Sequence, residues 1–116
     1  MAHDERLAGR LRAVLSVRKR VTEREMFGGV CFMLRDHMLC GVGKPGYMFR
    51  VGVDRESRAL RRRGARIVDF NGRRMHGFIW VDPARCGARE LRGWIALAEA
   101  YVSTLPTRKK PRKKLR

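Results

Sequence analysis

Between residues 28 and 52 the chain repeats one pattern three times: a short apolar run, then residues that turn. Val30-Cys31-Phe32-Met33-Leu34 is followed by Asp36-His37, Met38-Leu39-Cys40-Gly41-Val42 by Lys44-Pro45-Gly46, and Tyr47-Met48-Phe49-Arg50-Val51 by Gly52. Apolar runs of about five residues bounded by turn formers read as strands. Turns this short join antiparallel neighbours, so the segment predicts a three-stranded meander. If Asp36-His37 forms a two-residue hairpin loop, Met33 faces Cys40 and Cys31 faces Val42, while Val30, Phe32, Leu34 and Leu39 occupy the other face. Both faces are then apolar. Helices on one side alone leave such a sheet open, which is the mark of a partner surface.

Flanking segments supply the helices. Leu7, Leu11, Val14 and Leu15 fall on one stripe of a helix over residues 4–17, with Asp4 placed to cap it. Thr22-Glu23-Arg24-Glu25 has the form of a capping box, but Gly28-Gly29 follow too soon for a helix, and those glycines are expected to bend or bulge the first strand. Asp54 caps a second helix, Arg55 to Arg63, closed by Gly64. Ile67 to Phe70 and Met75 to Asp82 read as strands joined by Asn71-Gly72, the pair favoured in type I′ turns. A last helix runs from Ala88 to about Thr104, with Leu91, Trp94, Ile95, Ala98, Val102 and Leu105 along one side, and Pro106 stops it. The expected fold is α+β: two layers, an antiparallel sheet, and the order α-β3-α-β2-α. One domain over residues 1–105 suits a chain of 116 residues, with 106–116 a basic, disordered tail.

Charge narrows the partners. Lys and Arg number 28 against 11 acids, a net +17. Seven of these cations crowd into the last nine positions, yet the remainder still exceeds the acids by ten. Such a surface attracts polyanions. Arg61, Arg62, Arg63 and Arg74, with Arg108, Lys109, Lys110, Arg112, Lys113 and Lys114 of the tail, are the candidate nucleic-acid contacts. Binding through phosphates would be blind to sequence.

Little else suggests chemistry. Three cysteines, Cys31, Cys40 and Cys86, lack the C-x-x-C spacing of a zinc or redox site and read as reduced packing residues. His37 or His76 paired with a cysteine is the one imaginable nucleophile arrangement, and nothing in the sequence brings such a pair together. No Gly-rich phosphate cradle precedes a helix. The expectation is no enzyme, no cofactor and no metal. No apolar stretch reaches the ~20 residues of a membrane span, and Met-Ala-His-Asp-Glu-Arg opens the chain without the apolar core of a signal peptide. A cytoplasmic location is expected.

The ordered words Met26-Phe27-Gly28-Gly29-Val30-Cys31-Phe32-Met33, Tyr47-Met48-Phe49-Arg50-Val51-Gly52, Asp69-Phe70-x-Gly72-Arg73-x-Met75-x-Gly77-Phe78 and a Trp94-bearing final helix resemble the N-terminal domain of the TfoX/Sxy family over residues 1 to about 105. The resemblance implies an α+β fold similar to type III secretion chaperones, and no catalytic residue. It also implies a place among regulators of natural competence, which act as co-activators with the cyclic-AMP receptor protein. Full-length regulators carry a second, helical domain for which this sequence has no counterpart. The expected function is therefore a stand-alone, non-enzymatic regulatory or adaptor domain that works through protein contacts, as monomer or homodimer. Met26, Phe27, Gly28, Gly29, Arg50, Gly72, Arg73, Met75 and Gly77 carry the family motif in structural or partner-binding roles. The alternative is a sequence-independent nucleic-acid-binding protein that uses the Arg clusters and the tail.

Overall fold

A computed structural model describes residues 4–26 and 28–106. Its elements are α1 (Glu5–Leu15), β1 (Val21–Met26), β2 (Gly29–Leu34), β3 (His37–Gly43), β4 (Gly46–Arg50), α2 (Val53–Ala59), β5 (Ala65–Phe70), β6 (Arg73–Val81), a single 3-10 turn at Pro83–Arg85, and α3 (Ala88–Val102). All six strands form one antiparallel sheet in the order β1-β2-β3-β4-β6-β5. The α+β class and the antiparallel sheet agree with the expectation. The count does not, because the meander has four strands and the order is α-β4-α-β2-α.

The additional strand is β1, where the sequence showed only a rejected capping box. Its interior residues Thr22 to Glu25 are all exposed, so no apolar alternation announced it. Charged side chains are usual on an edge strand. Gly28, with φ of 73°, belongs to the turn between Met26 and Gly29, which pair across the β1–β2 hairpin. It does not bend a single strand as expected.

The β2–β3 hairpin also differs. Its turn is Arg35-Asp36, both at positive φ, one residue earlier than predicted. A bulge at Phe32/Met33 then absorbs one extra residue of β3. Phe32 therefore pairs with Cys40, and Cys31 with Gly41. Cys31 and Cys40 do not share a face, contrary to the predicted register.

Helices lie on one face only. Ala8, Leu11 and Leu15 of α1, Ala59 of α2, and Leu91, Trp94, Ile95, Ala98 and Val102 of α3 pack on Val30, Phe32, Leu34, Leu39, Cys40, Val42, Tyr47, Phe49, Ile79 and Val81. Phe49 stacks on Trp94 with ring centroids 5.5 Å apart. Burial of each large side chain here contributes about 1.5–3 kcal/mol. The side chain of Asp4 accepts from the amide of Arg6 at 2.9 Å, capping α1 as predicted. A two-pronged Arg18–Glu99 pair, 2.9 and 3.1 Å, ties the segment after α1 to α3. α2 stops at Ala59, so Arg61, Arg62 and Arg63 follow the helix and do not form its last turn.

Candidate functional site: the helix-free face

Met48, Val68 and Trp80 form a second buried cluster, flanked by half-buried Met38, Met75 and Phe78, and no helix residue takes part. Strand alternation places it opposite the main core: Met48 lies between Tyr47 and Phe49, and Trp80 between Ile79 and Val81. Val68, fully buried on the edge strand β5, sits at a bulge there. The predicted two-faced apolar sheet is real, but its division differs. Phe32, Leu34, Leu39, Cys40 and Val42 all belong to the helix side, while Cys31 points to the other.

Within this face is a cavity of about 250 Å³, walled by Met26, Cys31, Met38, Met48 and Trp80. Gly29, Gly41 and Gly43 contribute only backbone to it. A Cβ at Gly41 would lie 2.7 Å from the carbonyl oxygen of Val30, and one at Gly43 3.0 Å from the Trp80 ring. Side chains at these two positions would therefore collide with the neighbouring strand and with Trp80. Lys44 and Asp69 stand at its rim. Beside it runs β1, an outer strand whose far edge has no partner strand among the described residues.

The motif residues separate into two groups. Met26 lines the hollow, and a Cβ on Gly29 would fall 2.1 Å from the carbonyl oxygen of Val42. Met75 packs against the second cluster. Phe27 lies outside the described residues. Gly72 completes the Asn71-Gly72 turn, as predicted, with φ of 54° and 78°, and Arg73 opens β6. Gly77, at φ 88°, is a junction: its carbonyl accepts the amides of Val51 and Gly52, at 2.8 and 3.1 Å, and its own amide donates to Glu56 at 2.9 Å. Arg50 lies over the rings of Phe78 and Tyr101, 5.4 and 5.7 Å from their centroids, joining β4, β6 and α3.

Glu56 was not singled out from sequence. It is buried, accepts from Arg74 at 2.7 Å, and has His76 Nδ1 at 3.6 Å. Burial raises its pKa, but the Arg74 hydrogen bond, the Gly77 amide and the charges of Arg74 and His76 outweigh that and hold it below the usual carboxylate value. Arg74, expected to meet nucleic acid, is exposed and paired with Glu56. An imidazole N–H of His37 donates to the carbonyl of Pro106 at 2.7 Å. The thiol and imidazole pairs conceivable from sequence are not among the contacts of the described residues, nor are three metal-capable side chains gathered there. Arg61, Arg62 and Arg63 are exposed, with Arg62 5.0 Å above the Trp94 ring. Arg108, Lys109, Lys110, Arg112, Lys113 and Lys114 lie outside the described residues. Among the described residues, no helix is long and apolar enough to cross a membrane.

The family model for the TfoX N-terminal domain matches residues 13–101, which covers the sheet, the hollow and all of α3 but its last residue. Comparison with curated proteins and with solved structures gave no match, so the expected likeness to secretion chaperones gains no support there.

Proposed function

This chain belongs to the TfoX N-terminal domain family, and from that membership and the helix-free face we propose that it is a non-enzymatic regulatory or adaptor module that receives an extended, apolar segment of a protein partner. The observation that carries the reading is the glycine-floored hollow beside an open strand edge. Its volume, about 250 Å³, is below the roughly 300–1,000 Å³ of sites that enclose a drug-sized ligand or cofactor. It suits one large side chain. Three methionines in its wall can repack around different apolar groups, while β1 offers main-chain donors and acceptors for strand addition. The promoter setting in which full-length members of the family act supplies the context, transcription and competence regulation, in which such a partner would be met.

Selection from displayed random peptides tests the reading. Enriched peptides should carry a bulky apolar residue in an extended, alternating frame, shift the emission of Trp80, and bind at least tenfold more weakly to Met38→Glu. Met38 is only half-buried and outside the main core, so that variant should keep the native circular dichroism. Enrichment equal for both proteins, or peptides indifferent to the substitution, defeats the proposal.

A further inference from the structure

A second surface lies in the helix layer, where the turn after α2 meets the 3-10 turn and the start of α3. Gly64 packs so closely there that a Cβ on it would lie 2.8 Å from the Cβ of Arg85. Arg62 crosses to α3, 5.0 Å over Trp94 and 4.0 Å from the position a Cβ on Gly93 would take. Arg89 stands one helical turn before Gly93 and Arg92 directly before it. Arg61, Arg62, Arg63, Arg85, Arg89 and Arg92 are therefore brought to one corner, all of them exposed.

The two local acids make no ion pair with them and are outnumbered three to one. Asp82 accepts from the amide of Ala84 at 3.0 Å, and Glu90 from the amide of Gly87 at 3.1 Å. Arg6, Arg12, Arg18 and Arg74 each hold a carboxylate, whereas Arg55, Arg58, Arg66 and Arg73, like the corner arginines, do not among the described residues, so it is the crowding of six cations that sets the corner apart. No ion pair involves the six corner arginines among the described residues. Six unpaired guanidiniums at one corner form a field that a single carboxylate would not satisfy, and planar guanidinium groups suit phosphate oxygens.

We propose that this corner binds the phosphodiester backbone of duplex DNA without regard to sequence. Single-strand binders stack bases on exposed aromatic rings, whereas the exposed large apolar side chains among the described residues are only Val17, Val53 and Ile67, none of them aromatic. The aromatic ring at the corner, Trp94, is buried beneath Arg62. The exposed side of α3 at this corner presents Arg89 and Arg92, whose guanidinium groups suit phosphate oxygens. Contact through phosphates makes affinity follow salt and ignore base order.

The experiment is fluorescence anisotropy with the full chain and duplex DNAs of about 24 base pairs, of unrelated sequence, in a series of salt concentrations. Three proteins are compared: the wild type, a corner variant (Arg61→Gln, Arg63→Gln, Arg85→Gln, Arg92→Gln), and a tail variant with the basic residues after Pro106 changed to Gln. Arg62 is left in place because it packs on Trp94. The corner variant should keep its melting temperature, lose at least tenfold in affinity at low salt, and show a log affinity against log salt slope shallower by about 3.6, taking ~0.9 for each of the four phosphate contacts removed. Different duplexes should bind within twofold of one another. Binding by the corner variant within twofold of wild type, with the loss confined to the tail variant, would overturn the proposal. Equal or tighter binding of single-stranded DNA, or of polyglutamate at matched charge, would overturn it too.

Discussion

Across 21 residues of chain, the amide of Gly77 donates to Oε1 of Glu56 at 2.9 Å, while Oε2 of the same carboxylate takes the guanidinium of Arg74 at 2.7 Å. One buried acid thus fastens α2 to the strand that carries the family's Gly-Arg-x-Met-x-Gly word. Buried donors left without acceptors cost about 1–3 kcal/mol. Glu56→Ala should accordingly lose about 2–3 kcal/mol at neutral pH in urea denaturation, and Glu56→Gln about 1 kcal/mol, since its amide oxygen can still accept from Gly77.

The pH dependence has a definite sign. Because the folded-state pKa of Glu56 is lowered, its stabilisation is complete above the ordinary carboxylate pKa of about 4.3 and is lost as pH falls through the lowered value. The stability difference between wild type and Glu56→Gln should shrink as pH drops from 6 towards 3. A difference that stays constant over that range would remove the ionised carboxylate from the account.

Gly77 and Gly72 both have positive φ, but their surroundings differ. A Cβ at Gly72 would meet nothing within 4 Å, while one at Gly77 would come within 3.1 Å of the Val53 amide nitrogen. Left-handed backbone costs an alanine about 1–2 kcal/mol. Gly72→Ala should lose about 1 kcal/mol, and Gly77→Ala distinctly more, by chemical denaturation. Equal losses would mean that crowding at Gly77 is relieved without cost.

In α1 the opposite holds. Gly9 is helical, and a Cβ there would touch nothing within 4 Å, so Gly9→Ala gains helix propensity without a clash. An increase of about 0.5–1 kcal/mol in stability is expected. A decrease would reveal a close approach that the packing does not show.

Burial raises the pKa of all three thiols, with Cys86 pushed up to about 11, and thiolate is the reactive form. A disulfide-exchange reagent at pH 8 should therefore modify the native protein slowly and count three thiols only after denaturant is added. Rapid reaction of one thiol in the native state would point to Cys31, the cysteine that lines the hollow.

Where apolar periodicity spoke, the sequence was readable. Leu11 and Leu15, and Leu91, Trp94, Ile95, Ala98 and Val102, are the buried stripes of α1 and α3, and Asn71-Gly72 turns as its residue types require. β1 was hidden because Thr22 to Glu25 bury nothing. The register of β2 on β3 was misread because Arg35, a residue with no turn preference, adopts φ of 50°, and the following bulge shifts every later pair. Nothing in local sequence links Glu56 to Arg74 or Gly77, since only the fold closes those 18 and 21 residues. The hollow was foreseeable in part: the glycines at 41 and 43 were visible, but which face they opened depended on the bulge.

Strand order also sets a gradient of amide protection. β2, β3, β4 and β6 are bonded on both sides, so their deuterium uptake should report the slowest, near-global openings. The outward-facing amides of β1 have no such shelter and should exchange first. An added strand would silence alternate amides of β1 alone, leaving those of β5 at the opposite margin unaltered. A peptide's arrival could then be localised to a single margin of the sheet by isotope labelling, before its identity or pose is known.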